Sequence, residues 1–210
     1  MARALAHGWE IVVGLEVHAQ VLSKSKLFSP ASAVAGKFGS TATPNSACAL
    51  FDVAHPGTLP TLNRECVSQA VRAAAALQSR IHAYSSFERK HYLYPDLPHG
   101  YQITQLRYPI ASNGLMVYDV ASSRGRTGAS PRRSCAARIA RIQIETDSGK
   151  SLHGVSRSGS VLLDFNRAGV ALLEIVTQPD LRGADEAGAF LRKLQVCCVM
   201  LLDTEYRETP

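Results

Sequence analysis

Hydrophobic and polar residues alternate along residues 11–22, which read IVVGLEVHAQVL. Side chains of a β-strand point alternately to its two faces, so one face here is wholly apolar while Glu16, His18 and Gln20 share the other. Same-face neighbours lie about 6–7 Å apart, close enough for Glu16 and His18 to share a metal ion or a substrate group. The pattern predicts a strand with its apolar face on a core. The polar face has two interpretations, a functional site or the solvated side of an edge strand.

A second alternating stretch, residues 138–147, predicts another strand of the same kind. Ile142 and Ile144 would point to one side, towards a core. The polar side would carry Arg141, Gln143, Glu145 and Asp147.

Residues 170–176 predict a buried strand, because they are apolar apart from Glu174. A lone carboxylate in a buried strand is costly unless it is paired or binds a metal. Glu174 is therefore either a metal ligand or one half of an ion pair with an arginine such as Arg167.

Two stretches have helical spacing of apolar residues. The first begins after Asn63, a good N-cap, and has Glu65 in its first turn, where a carboxylate favours the helix dipole. We expect this alanine-rich helix to cover one side of the sheet. The second predicted helix spans residues 180–202, with Asp185 and Glu186 in its early turns.

Residues 87–105 mix basic residues, tyrosines and two prolines. Pro95 and Pro98 fix φ and remove backbone donors, so residues 94–100 are expected to form an extended loop. The basic residues could bind phosphate and the tyrosines could stack on bases. An aromatic hairpin with solvated charges explains the same composition equally well.

The remaining segments read mostly as loops. We expect a polar turn at residues 23–26, a long irregular loop at 29–44, and a turn at 113–114. A short strand is expected at 49–53. Residues 122–133 are basic and lack large apolar side chains, which predicts a mobile insertion whose default interpretation is a solvated linker. Its arginines are Arg124, Arg126, Arg132 and Arg133.

The chain has 210 residues, enough for one sizeable core or for one domain and part of a second. A net charge of +6 permits a nucleic-acid or nucleotide partner without requiring one. Five cysteines without a C-x-x-C pair favour neither a disulfide framework nor a zinc site, and so point to a reducing compartment. No apolar run reaches the ~18 residues of a membrane span, so no membrane insertion is expected. Residues 1–8 could be the remnant of a targeting leader.

Five blocks carry a resemblance to a known family. They are GLEVHAQ (14–20), PGTLPTLNR (56–64), ERKHYLYPDLPHGYQITQ (88–105), IETDSGKSLH (144–153) and LDFNRAGVALLEIV (163–176). With these blocks in this order, the chain resembles the B subunit of the tRNA-dependent amidotransferases, the GatCAB complexes. The LFD near Leu50 and the DSGKSLH sequence resemble the mitochondrial branch.

The resemblance implies an α+β fold: a glutamine synthetase-like cradle domain with a mostly antiparallel sheet and flanking helices. It implies a glutaminyl-tRNA synthase (glutamine-hydrolysing), a ligase that forms C–N bonds with glutamine as amide donor. With ATP and Mg²⁺, the family phosphorylates the side chain of glutamate misacylated on tRNA(Gln) and amidates it with channelled ammonia, giving Gln-tRNA(Gln) for translation. The implied partners are the amidotransferase A and C subunits, in a heterotrimer, and Glu-tRNA(Gln). The implied location is the mitochondrion, with the cytoplasm or a plastid as alternatives.

The resemblance also implies roles for particular residues. The metal ligands would be Glu16, His18, Glu145 and Glu174. The catalytic residues at the mouth of the ammonia channel would be Lys90 and Tyr92. The residues shaping the ATP and substrate pocket would be Arg89, Tyr101 and Gln102.

Departures from the family qualify these expectations. Positions that bind zinc in many bacterial relatives hold Ser29, Ala49 and Asp52 here, so no zinc is expected. The resemblance fades after about Leu194, which predicts an incomplete catalytic cradle domain over residues 9–195 and a divergent tail over 196–210. The chain would then be C-terminally truncated. The alternative function is a catalytically inactive binding or assembly module of the same complex.

Overall fold

A computed structural model describes residues 8–37, 40–121, 132–154 and 159–201. Within these ranges the chain forms two α-helices, α1 (Arg64–Ala76) and α2 (Ala184–Leu201), and a 3₁₀ turn at Val34–Gly36. Its strands are β1 (Glu16–Gln20), β2 (Arg80–Ile81), β3 (Glu88–His91), β4 (Tyr101–Thr104), β5 (Ala111–Ala121), β6 (Arg132–Thr146), β7 (Lys150–Leu152), β8 (Leu162–Asp164) and β9 (Ala171–Thr177).

Five strands form the main sheet in the order β1-β9-β6-β5-β2, and every neighbouring pair is antiparallel. Two hairpins, β3–β4 and β7–β8, form separate two-stranded sheets. The prediction of an α+β fold with a mostly antiparallel sheet and flanking helices is therefore confirmed. None of the described helices is long and apolar enough to cross a membrane.

The apolar face of the sheet builds the core. Ile142 and Ile144 of β6 and Leu173 of β9 are essentially inaccessible to solvent, as the alternating pattern predicts. Removal of this apolar surface from water is the main favourable contribution to folding. Helix α2 packs on the same core, where the ring of Phe190 meets Tyr118 of β5 edge to face at 5.7 Å.

The start of α1 agrees with the prediction, and the start of α2 does not. Asn63 caps α1 as expected, its side-chain oxygen accepting the Glu65 N–H at 2.9 Å. The second helix begins at Ala184, not at residue 180. Asp180 instead binds Arg138 of β6, accepting its backbone N–H at 2.9 Å and its guanidinium at 2.7 and 2.9 Å.

The first strand is shorter than residues 11–22. Its ladder with β9 covers only Glu16–Gln20, and Ile11 is 48 % exposed. The ladder stops because β9 ends at Thr177, whose side-chain hydroxyl accepts the Leu15 N–H at 2.8 Å. Further back, Val13 forms an isolated bridge with Leu181.

The predicted turn at residues 113–114 is wrong, because both residues lie inside β5. Asn113 adopts the left-handed φ of +55°, but the strand continues through it, because the β5–β6 register is the same at Ser112–Arg141 and at Gly114–Ile139. Gly114 is required by a close approach, because a Cβ there would lie 2.8 Å from the Leu77 carbonyl oxygen.

Two other loop predictions need correction. Residues 49–53 form a turn, not a strand, with the Asp52 N–H donating to the Ala49 carbonyl at 2.9 Å. Of the predicted basic insertion, residues 122–131 lie outside the described residues. Arg132 and Arg133 belong to β6, and Arg133 forms an ion pair with Glu186 of α2.

The burial of Lys26 is the largest difference between the structure and the predicted polar turn at residues 23–26. Its side chain is completely buried. The ammonium lies 3.0 Å from Asp52 Oδ2 and donates to the Phe165 carbonyl oxygen at 3.2 Å. Through this ion pair and this hydrogen bond, the Lys26 ammonium joins three segments that are distant in the sequence.

We expect the Arg138–Asp180 ion pair to make the stability of the folded protein depend on pH in the acidic range. Hydrogen bonds from the Arg138 guanidinium lower the pKa of Asp180 to about 2, below the ordinary value of about 3.9. Because the folded-state pKa is depressed, the stabilisation is present above about pH 4 and is lost as the pH falls towards 2. Thermal unfolding should show Asp180→Asn less stable than wild type at pH 6, with the difference shrinking at pH 2. The exposed Asp185→Asn is the control, and a difference independent of pH would contradict the pairing.

Candidate active site

The register of the main sheet brings polar residues from three strands into one row. His18 of β1 pairs with Glu174 of β9, and Glu174 pairs on its other side with Gln143 of β6. Glu145 lies two residues further along β6, on the same face. The polar faces of three separate stretches therefore form a single surface, opposite the hydrophobic core.

Three of these side chains form a cluster with metal-binding geometry. Ligand atoms of His18, Glu145 and Glu174 all lie within 4.8 Å of one another. In the part of the chain that the structure describes, no other set of three acidic, histidine or cysteine side chains lies so close together. Two carboxylates with one imidazole suit a hard divalent cation such as Mg²⁺, which prefers oxygen ligands and keeps several waters. The donor set therefore fits the implied metal.

His18 and Glu145 form an ion pair within this cluster. His18 Nε2 lies 2.7 Å from Glu145 Oε1, and this hydrogen bond raises the pKa of His18. Burial alone would raise the pKa of Glu145, but the hydrogen bonds from His18 and Thr104 outweigh it and lower that pKa. Metal ligation requires an unprotonated ring nitrogen, so a proton and a cation compete for His18.

The hydrogen-bond partner of Glu174 is the side-chain amide of Gln143, and not Arg167 as the sequence suggested. Gln143 Nε2 donates to Glu174 Oε2. Burial, followed by the negative charge of Glu145, raises the pKa of Glu174. Arg167 instead lies 3.4 Å from Asp147 Oδ1 and donates to two loop carbonyl oxygens, so the proposed ion pair between Arg167 and Glu174 is wrong.

A cleft of about 400 Å³ lies over this cluster. The β3–β4 hairpin forms its facing wall, with Lys90 and Gln102 paired across the two strands on one face of the hairpin. The cleft is lined by Glu16, His18, Lys90, Tyr92, Gln102, Glu145, Asp147, Ser148, Leu172 and Glu174. The structure therefore brings together all four predicted metal ligands, both predicted catalytic residues and Gln102.

Arg89 and Tyr101 are not among the residues that line the cleft. Strand alternation places both on the opposite face of the hairpin from Lys90. There the Arg89 guanidinium stacks over the Tyr101 ring at 5.0 Å, and His91 meets the same ring edge to face at 5.7 Å. These side chains support the wall of the cleft from behind.

Besides Ser148 and Leu172, which also line the cleft, three residues of the site were not among the predicted site residues. Asp147 lines the cleft, and burial raises its pKa to about 6. Gln143 contacts Glu174, and Thr104 donates to Glu145 Oε2 at 3.1 Å. Asp147 and Gln143 could have been found from the alternation of residues 138–147. Thr104 carries no such signal, because its role depends on the hairpin docking against β6.

Comparisons with known proteins show which family the chain is similar to. A family model described as "GatB/GatE catalytic domain" matches residues 11–206. The chain is 52 % identical over 190 residues to the B subunit of the aspartyl/glutamyl-tRNA(Asn/Gln) amidotransferase of Anaplasma marginale (strain St. Maries), covering 90 % of this chain and 35 % of that protein.

Proteins of the same description from Ehrlichia ruminantium (strain Gardel) and Beijerinckia indica subsp. indica are 50 % and 51 % identical. These matches cover 90 % and 89 % of this chain, and 35 % of each relative. The chain thus spans about a third of the length of the curated relatives it matches. The chain belongs to the family of GatB/GatE catalytic domains.

Proposed function

We propose that this chain carries the ATP-dependent transamidation site of a tRNA amidotransferase, acting on Glu-tRNA(Gln). The observation that carries the proposal is the cluster of His18, Glu145 and Glu174 at the base of a cleft, with Lys90 and Tyr92 among the residues lining it. The names of the relatives, which are B subunits of aspartyl/glutamyl-tRNA(Asn/Gln) amidotransferases, support the same reaction class.

The proposed reaction has two steps. The side-chain carboxylate of the tRNA-bound glutamate attacks the γ-phosphorus of ATP, forming an acyl phosphate and releasing ADP. Ammonia then attacks the acyl carbon, the C–O bond to phosphate breaks, and one proton leaves the nitrogen. The products are Gln-tRNA(Gln) and inorganic phosphate. Ammonia would come from glutamine hydrolysed by the A subunit, in a heterotrimer that also contains the C subunit.

Glu145, Glu174 and His18 are the residues that would hold Mg²⁺, with Glu16 at the same cleft. A bound Mg²⁺ would neutralise negative charge on the phosphate oxygens during transfer. The protein contributes the position of these ligands, because the sheet fixes the spacing of their backbone atoms. Burial of Glu145 strengthens its electrostatic interaction with any charged ligand.

The hairpin wall supplies complementary groups. Lys90 adds a positive charge to a cleft that also contains four carboxylates, where it can bind a phosphate or the acyl phosphate. Burial raises the pKa of Tyr92, so its hydroxyl remains a neutral hydrogen-bond donor. The Gln102 amide donates to the Thr146 carbonyl at 2.9 Å and fastens the wall to β6. Arg89 and Tyr101 shape the pocket through the hairpin, without reaching it themselves.

Further features belong to the same proposal. We infer that the sheet is part of a cradle similar to glutamine synthetase, whose chemistry also passes through an acyl phosphate. A mitochondrial location agrees with the resemblance described above. No zinc is expected near Asp52, because the buried ammonium of Lys26 already pairs with that carboxylate and disfavours a second cation.

The test is a transamidation assay on the chain combined with the A and C subunits of the amidotransferase. We expect ATP-dependent conversion of Glu-tRNA(Gln) to Gln-tRNA(Gln), with either glutamine or ammonium chloride as the nitrogen source. Ammonium chloride removes the dependence on glutaminase activity and so isolates the site described here. A stable complex that makes no Gln-tRNA(Gln) from either source would contradict the proposal and favour the inactive assembly module.

A further inference from the structure

Gln143 lies under the metal-binding cluster without being a candidate ligand itself. Its side chain is buried at the centre of the sheet, directly across from Glu174 on the neighbouring strand. A buried amide with a complete set of hydrogen bonds holds its neighbours in one arrangement. The hydrogen bonds of Gln143 therefore bear directly on how Glu174 is oriented.

The orientation of the Gln143 amide is set by its neighbours. Arg141 Nε donates to Gln143 Oε1 at 2.9 Å, and a guanidinium can only donate. The amide nitrogen must then face the other way, where it donates to Glu174 Oε2 and to Thr104 Oγ1 at 3.1 Å. The reverse orientation would place the amide oxygen against a carboxylate and the amide nitrogen against a cation.

Thr104 connects Gln143 to the second carboxylate, that of Glu145. Because its oxygen accepts from Gln143, its hydroxyl hydrogen is available to Glu145, whose Oε2 lies 3.1 Å away. One directed chain thus runs from Arg141 through Gln143 to both carboxylates. Glu174 receives the direct bond, and Glu145 the indirect one.

We propose that Gln143 is a positioning residue that holds the Glu174 carboxylate in the orientation required to bind a divalent cation. This inference rests on the proposed function, which places the cation at His18, Glu145 and Glu174. Without the amide donor, the Glu174 carboxylate would be free to rotate away from the cluster. Side chains that hold metal ligands typically contribute roughly 10–100-fold to metal affinity.

The experiment measures binding of Mn²⁺ alone to the full chain by electron paramagnetic resonance, up to millimolar Mn²⁺. Gln143→Met keeps the size of the side chain and removes its hydrogen bonds, and we expect roughly 10-fold or greater loss of affinity. Gln143→Asn, which withdraws the amide by one carbon, should also bind more weakly and covers the case that the methionine variant fails to fold. The matched control is Gln69→Met, which removes a buried amide on α1 that binds the Leu22 carbonyl. That control should bind Mn²⁺ like wild type.

A second comparison separates positioning from general loosening of the structure. In a Glu174→Gln background, adding Gln143→Met should change Mn²⁺ affinity by less than about 2-fold, because residues that act through one another are not additive. An equal loss in both backgrounds, or wild-type affinity in Gln143→Met and Gln143→Asn, would overturn the inference while leaving the proposed function intact. Failure of wild type to bind Mn²⁺ would overturn both.

Discussion

Replacing Lys26 with methionine is expected to lower the free energy of unfolding by about 3–5 kcal/mol, because it leaves a buried carboxylate without its counter-charge. Asp52 is buried with Lys26, and its Oδ2 accepts both the Lys26 ammonium at 3.0 Å and the Ala49 N–H at 2.9 Å. The same ammonium binds the Phe165 carbonyl oxygen, so its loss releases the segment that leads into β9. Urea or thermal denaturation measures the effect.

Two further variants make this test specific. Lys24→Met removes an exposed lysine two residues away and should change stability by no more than ~0.5 kcal/mol. Lys26→Met combined with Asp52→Leu removes both charges and should recover most of the loss, because an apolar pair of similar volume replaces a buried ion pair at little cost. A Lys26→Met protein as stable as Lys24→Met would show that the buried pair is absent in solution.

Glu145→Gln is expected to lower ATP-dependent transamidation by at least about 100-fold in the complex with the A and C subunits, because a lost metal contact weakens charge stabilisation by several kcal/mol. Glu145 is the most deeply buried of the three clustered side chains, and both of its carboxylate oxygens are in use. The substitution preserves the shape of the side chain, removes its charge and replaces one acceptor oxygen with an amide donor. Conversion of Glu-tRNA(Gln), with ammonium chloride as nitrogen source, is the measurement.

The control for this variant is glutamine hydrolysis by the A subunit, which should stay near the wild-type rate because its chemistry lies elsewhere. Glu65→Gln, on the exposed first turn of α1, should transamidate normally. Transamidation by Glu145→Gln at the wild-type rate would exclude Glu145 from the metal site.

The alternation of residues 11–22 and 138–147 was enough to predict which side chains share a face. It could not predict the register that sets His18 beside Glu174 and Glu174 beside Gln143, because that row joins strands that are far apart in the chain. Strand pairing of this kind depends on tertiary contacts, which local pattern does not encode.

The burial of Lys26 shows the same limit from another direction. Ser23 and Lys24 make residues 23–26 look like a polar turn, and only the distant Asp52 makes burial of the lysine tolerable. In the hairpin, the family resemblance places both Arg89 and Lys90 at the pocket. The structure separates them, because consecutive strand residues face opposite sides.

The most direct test of the metal site is a Mn²⁺ titration of the full chain, followed by electron paramagnetic resonance. Wild type should bind one Mn²⁺ ion, and Glu174→Gln should lower the Mn²⁺ affinity by at least about 100-fold. Loss of a side chain that only orients a metal ligand typically lowers metal affinity by about 10–100-fold, and loss of a ligand itself should cost at least as much. Glu65→Gln should bind as wild type does. Equal Mn²⁺ affinity in wild type and Glu174→Gln would contradict a cation site formed by His18, Glu145 and Glu174.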